Sequence, residues 1–271
     1  MRNWYDYILK KEKKDNLNRF DYTNKTLFED KDFDKYFKKK FFVKLEYACS
    51  SFNYFNKNLN KKQKIFCIGS GWAHMEYFLS NSYQIIASDN YKKYVDFFKK
   101  KRKKNFRYLK FDILKDKQIM KKKKYDQIIV NSIEYLFNDR QMRLLLKNLR
   151  KLGNKNTDFY LIFRSRDSFI IKIIDKYLAL LEKKIFQLIK KISGEKYILT
   201  KNHHGFRRYM YEFLNLLKNS NCRIISIHED LYETEYNRLG VVRKLKLGKI
   251  LSFIFLKSHP YLNIVKFKFE L

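Results

Sequence analysis

From Lys64 onward the chain sets short apolar runs between stretches in which apolar residues recur every three or four positions. "KIFCI" (64–68), "YQIIAS" (83–88), "FRYLKF" (106–111), "YDQIIVN" (125–131) and "DFYLIFRS" (158–165) read as buried strands bounded by polar residues. "HMEYFL" (74–79) starts a helix. "YKKYVDFFKKK" (91–101) has helical spacing through Tyr91, Tyr94, Val95 and Phe98, and "DRQMRLLLKNLRKLG" (139–153) is a helix that Gly153 can stop from the position just past its end. Strands alternating with helices of this length predict a mostly parallel sheet covered on both faces.

Either side of this rhythm the pattern changes. Residues 1–60 mix apolar and charged positions, as in "FDKYFKKKFFVKLEYACSSFNYF", and read as a helical N-terminal extension covering the core. After the fifth strand, Phe169 to Ile192 carry an apolar stripe at helical spacing with lysines opposite, which predicts a helical cap insertion over 167–204. The remainder, 205–271, returns to the core with a helix in "RRYMYEFLNLLKNSNC", a strand in "RIISIHE" and an alternating terminal strand in "NIVKFKFEL". The core proper is 61–166.

Composition modifies this picture only slightly. Hydrophobic residues at 45% supply a core, and Lys+Arg 61 against Asp+Glu 28 gives a net charge of +33, which favours a polyanion or an anionic surface. The basic runs (38–40, 99–104, 121–124) are scattered, and the enriched residue types are those of A/T-rich codons, so codon bias competes with a dedicated site. Cys49, Cys67 and Cys222 have neither metal-knuckle spacing nor an even count, which points to a reducing, cytoplasmic setting. "FIIKIIDKYLALLEKKIFQLIKKI" is broken by Lys172, Asp175, Lys176 and Glu182, short of the roughly 18 clean apolar residues of a membrane span. Peripheral membrane contact through its apolar stripe stays open.

Candidate chemistry starts at "CIGSGWA". Gly69 and Gly71 follow the first strand of the predicted sheet, where glycine permits unusual dihedrals and close approach of a ligand to the backbone. Asp89, about 20 residues on at the end of the second strand, is placed to accept from a ribose diol, or to cap the helix that begins near Tyr91. The third glycine of a dinucleotide fingerprint would fall at position 74, and that residue is His74, which disfavours a nicotinamide-dinucleotide oxidoreductase.

With "ASDNY", "LKFDIL" and "DQIIVNSIEYLFND" following in order, the chain resembles the class I, Rossmann-like S-adenosylmethionine-dependent methyltransferases over 61–166, and more weakly from Gly205 to the end. The resemblance implies an α/β fold, a mostly parallel sheet with an antiparallel last strand, and S-adenosylmethionine as cofactor. It implies that Gly69, Ser70 and Gly71 approach the methionine portion, that Asp89, with Asn90 beside it, meets the ribose, that Asp112 and Ile113 lie near the adenine, and that Asn131 lies near the methyl donor. Cys67 belongs to the same motif but departs from it, because family members usually carry an acid there. A thiol at the end of a buried strand is expected to pack.

Methyl transfer from a sulfonium depends mainly on holding acceptor and donor in line. A hydroxyl acceptor would gain from a general base, for which His203 and His204 in "KNHHGFRR", Tyr135 and Glu134 are candidates. No metal site is expected. "NSIEYL" replaces the Asn/Asp-Pro-Pro-aromatic motif of amino methyltransferases acting on DNA, and no RNA-binding module is present. The reading is therefore methyl transfer to an O or N atom of a small-molecule or glycan-like acceptor. The alternatives are an RNA methyltransferase using the basic surface and a non-catalytic methyltransferase-like binding module.

Overall fold

The computed structural model describes residues 51–52, 54–101, 103–116, 124–167, 206, 208–229 and 262–270. The expected N-terminal extension and the cap insertion, with His203 and His204, lie almost entirely outside the described residues. In chain order the elements are β1 (Ile65–Ile68), α1 (His74–Leu79), β2 (Ile85–Asp89), α2 (Lys92–Lys100), β3 (Phe106–Lys110), β4 (Gln127–Asn131), α3 (Asp139–Leu152), β5 (Asp158–Arg164), α4 (Met210–Lys218), β6 (Cys222–His228) and β7 (Leu262–Phe269). One 3₁₀ turn, Glu134–Leu136, follows β4.

The strands form one seven-stranded sheet in the order β3-β2-β1-β4-β5-β7-β6. Pairs from β3 through β5 are parallel, while β7 runs antiparallel to both β5 and β6. This is the predicted fold class. Alternation along each strand sends neighbouring side chains to opposite faces. Phe66, Ile68, Ile128, Val130, Phe159, Leu161 and Phe163 meet Met142, Leu145, Leu146 and Leu149 of α3 and Phe213 and Leu217 of α4. Ile65, Cys67, Ile129, Tyr160 and Ile162 face the other way, against Met75 and Leu79 of α1 and against Phe55 and Leu59. An aromatic group made by Trp72, Tyr94, Phe97, Phe98 and Tyr108 packs α2 on the β2–β3 side.

Polar groups fix the edges of this arrangement. The Asp126 carboxylate accepts the Lys64 amide at 2.9 Å and its carbonyl accepts the Asp158 amide at 3.0 Å, aligning the starts of β1, β4 and β5. Lys266 and Lys268 of β7 pair with Asp158 at 2.9 and 3.3 Å, and the side chains are mostly shielded. Helix α3 opens with a reciprocal cap in which Asn138 accepts the Gln141 amide and Gln141 accepts the Asn138 amide. Its end differs from expectation. Gly153 sits at φ −107° and ψ −175°, extended instead of left-handed, and glycine is needed for room: a Cβ would lie 2.6 Å from the Phe159 ring and 2.9 Å from Thr157.

Arg208 ties the returning chain to the β4–α3 connection. Only 6% exposed, it donates to the carbonyls of Glu134, Phe137 and Phe206 and twice to the Asp139 carboxylate. A guanidinium can meet these acceptors from one plane, and an ammonium cannot. Arg208→Lys is expected to cost about 2 kcal/mol or more through unsatisfied carbonyls. That loss lowers the thermal midpoint by at least about 4 °C for a chain of this size, measurable by calorimetry.

Candidate functional site

The carboxyl ends of β1 and β4 are neighbours in the sheet, and their following connections leave to opposite sides, the point at which open α/β sheets bind ligands. Gly69 and Gly71 stand in the turn after β1 with φ of +72° and +51°. The two glycines answer different needs. A Cβ at Gly69 would lie 2.2 Å from Ile133 Cγ2, so that glycine admits the chain following β4. At Gly71 the nearest atom to an added Cβ is the Tyr94 hydroxyl at 3.9 Å, which leaves its outer face open. Ala73 and Ser132 also carry positive φ, both 46°, so strained backbone is concentrated on the two sides of this crevice.

Asp89 braces the turn. Its Oδ2 accepts the Gly71 amide and its Oδ1 accepts the Tyr91 amide, each at 3.1 Å. The second contact is a local turn bond before α2 and not the helix cap that the sequence offered as an alternative: the N-cap residue is Tyr91, and no side chain caps the helix. Tyr108 donates its hydroxyl to the Gly71 carbonyl at 2.7 Å, and the Ser70 amide reaches the Ser88 carbonyl at 2.9 Å. Each Asp89 oxygen retains acceptor capacity. Burial pushes the Asp89 carboxyl up to about 6, against the backbone hydrogen bonds that stabilise its charge.

Glu76 is the residue that sequence reading missed. It occupies the first turn of α1, is 2% exposed, and accepts a hydrogen bond at Oε1 from Asn131 Nδ2 at the end of β4. Asn131 Nδ2 also lies 3.5 Å from Ser70 Oγ, while Asn131 Oδ1 is buried with no hydrogen-bond partner among the described residues. Burial pushes Glu76 up to about 7, opposed by hydrogen bonds from Ser70 and Asn131 and reinforced by the Asp89 charge. The one sequence signal was an acid five positions after the second glycine, in a helix too short to need it for stability.

The remaining expected residues are spread around this centre. Cys67 is fully buried and its thiol is driven well above its ordinary value by desolvation; its carbonyl accepts from Ser88 Oγ at 2.8 Å. Asn90 follows Asp89, with its Oδ1 buried and without a hydrogen-bond partner among the described residues. Asp112 accepts the Leu114 amide at 2.9 Å, a turn cap, and the buried Ile113 gives its carbonyl to Asn148 Nδ2 at 2.8 Å. Beyond β4, Glu134 is 1% exposed, accepts the Arg164 amide at 2.8 Å, and is pushed up to about 7 by burial against the pull of Arg164 and Arg208. The Arg164 guanidinium lies 4.5 Å from the centre of the Tyr135 ring, and the Tyr135 carbonyl accepts the Phe206 amide. Among the described residues no group of three or more His, Cys, Asp or Glu could hold a metal ion, and no helix is long and apolar enough to cross a membrane.

No family model and no curated protein sequence matches the chain. Solved structures do. The plantazolicin methyltransferase BpumL, in complex with a monoazolic desmethylPZN analogue and SAH, aligns at 16% identity over 97% of this chain and 100% of that one, TM-score 0.54. A SAM-dependent methyltransferase from Thermotoga maritima, described as a possible histamine N-methyltransferase, aligns at 11% identity over 88% and 96%, TM-score 0.54. The chain spans only 49% of the length of the mitomycin 7-O-methyltransferase MmcR, which covers 76% of it at 11% identity and TM-score 0.49. At these identities the likeness shows the fold, that of the class I, Rossmann-like methyltransferases.

Two outcomes follow. Gly69→Ala should destabilise by about 3 kcal/mol or more, the sum of left-handed strain and overpacking. The added Ile133→Ala should recover the overpacking share in a double-mutant cycle read by denaturant melts, and Gly71→Ala should show strain alone, about 1–2 kcal/mol. For pH, folded Glu76, Asp89 and Glu134 titrate at about 7, 6 and 7, above their ordinary 4.5, 3.8 and 4.5, so the folded state binds more protons between the two sets of values. Their contribution to stability is therefore greatest at low pH and falls as pH rises to about 7. Chemical denaturation at pH 5 and pH 8 should show the drop, and Glu134→Gln should shrink it by roughly 2 kcal/mol.

Proposed function

We propose that the chain is a class I S-adenosylmethionine-dependent methyltransferase that methylates an O or N atom of a small-molecule or glycan-like acceptor. The observation that carries this reading is the turn at Gly69 to Gly71, open on its outer face at Gly71 and braced by a half-buried acid from the next strand. The residues present fit the cofactor. Asp89 has spare acceptor capacity for a ribose diol, and the buried Asn131 Oδ1 lacks a donor among the described residues. S-adenosylmethionine, when bound, supplies a methyl group already activated on a sulfonium.

The chain's own part is then to bind, orient and exclude water. Gly69, Ser70 and Gly71 would lie along the amino acid portion, Asp89 and Asn90 beside the ribose, and Asp112 and Ile113 toward the adenine. Tyr135, held by Arg164 over its ring and by Phe206 at its carbonyl, would border the acceptor side. His203 and His204 remain the candidate bases for a hydroxyl acceptor. The neighbours named above act on unlike acceptors, in keeping with a fold that hosts many chemistries.

Thermal unfolding with S-adenosylmethionine, S-adenosylhomocysteine and NAD tests the cofactor assignment. At about 100 times the dissociation constant, linkage adds roughly 2.7 kcal/mol, a midpoint rise of at least about 5 °C. The rise is expected with the two sulfur compounds, absent with NAD, and much reduced in Asp89→Asn. No rise with any of them would leave a non-catalytic module with a tight turn.

A further inference from the structure

Among the described residues, the crevice contains an acid with no cation beside it. Glu76 is 2% exposed, yet no Lys, Arg or His pairs with it among the described residues, in a protein whose net charge is +33. Four elements surround it. Cys67 lies on β1, Asp89 ends β2, Tyr108 stands on β3, and Asn131 ends β4. Of these, Asp89 shares its sign and the Cys67 thiol and Tyr108 hydroxyl are held neutral by burial, so nothing in this shell balances a carboxylate charge. Burying an unpaired charge is costly, and burying it against a second acid more so.

Asn131 indicates what is missing. By giving Nδ2 to Glu76 it leaves Oδ1 as a buried acceptor without a donor among the described residues. The carboxylate and the amide oxygen belong to one hydrogen-bonded unit, beside the turn carrying Ser70. A carboxylate and a neutral acceptor side by side match a small cation with several N–H donors, a primary ammonium.

We propose that Glu76, with Asn131 Oδ1, binds the α-ammonium group of the cofactor's amino acid portion, the charge complement that Cys67 cannot supply. This rests on the cofactor assignment above. The site would thus select ligands bearing the amine over those that share only the adenosine and thioether. Because the free carboxyl holds its proton near pH 7, docking an ammonium against it releases that proton, and affinity for the amine-bearing ligand rises with pH through this range.

The test compares S-adenosylhomocysteine with its analogue lacking only the α-amino group, by isothermal titration calorimetry on the wild type and Glu76→Gln. The wild type should bind S-adenosylhomocysteine about 10- to 100-fold more tightly than the analogue. Glu76→Gln should erase most of that preference while leaving analogue affinity within about 2-fold. Equal losses for both ligands, or none, overturn the assignment. Should the variant not fold, the wild type alone decides: affinity for S-adenosylhomocysteine should increase between pH 6 and 8 relative to the analogue, whose intact ribose cancels the titration of Asp89. Parallel pH profiles overturn the proposal. A wild type that binds neither compound refutes the cofactor assignment itself, a result distinct from binding both alike.

Discussion

Asp89 accepts the Gly71 amide on one carboxylate oxygen and the Tyr91 amide on the other, while the Tyr108 hydroxyl closes the same turn at the Gly71 carbonyl. Three consecutive strands thereby have their ends joined through a single residue, Gly71. Everything else at the crevice depends on this joint. Glycine reaches the left-handed conformation at Gly71 without steric cost, and hydrogen bonds from two further strands select it from the glycine's other conformations. Two serines, with the buried Ser88 Oγ on the Cys67 carbonyl and Ser70 N on the Ser88 carbonyl, repeat the device one layer below.

Burying acid at such a joint works against stability and in favour of recognition. Glu76, Asp89 and Glu134 are all raised by desolvation, so each sits closer to neutrality than a surface carboxyl would. Glu134 differs from the other two in having Arg164 and Arg208 nearby, and it is spent on holding the β5 end to the β4 connection. Among the described residues Glu76 and Asp89 face each other, with Asp112 adding a further like charge on Asp89. The charge of Asp89 adds to desolvation in raising Glu76.

The sheet was legible from the chain because each strand is a short apolar run and each covering helix keeps its period, so "HMEYFL" and "YDQIIVN" coincide with α1 and β4 almost to the residue. Turn chemistry was legible as residue type and less so as cause. Gly69 is bare because of Ile133, far along the sequence, and Gly153 because of Phe159 and Thr157, contacts that only the closed sheet creates. Glu76 was hidden for a similar reason. An acid in the first turn of a helix is ordinary, and its burial against Asn131 depends on β1 and β4 being neighbours. The paired histidines fall outside the described residues, so their part in the chemistry rests on sequence alone.

Where the chain leaves the sheet after β5 and returns to it, the two strands of backbone meet: the Arg166 amide donates to the Arg208 carbonyl at 2.9 Å, and Asp167 accepts the Met210 amide at 2.7 Å while holding Ser165. The intervening segment thus begins and ends at one closed gate. The entropy of closing such a loop grows only with the logarithm of its length, about 0.6 kcal/mol per doubling. A change in the length of chain between those two ends therefore costs the sheet almost nothing, so the sheet tolerates insertion and deletion at this one point without re-registering its strands.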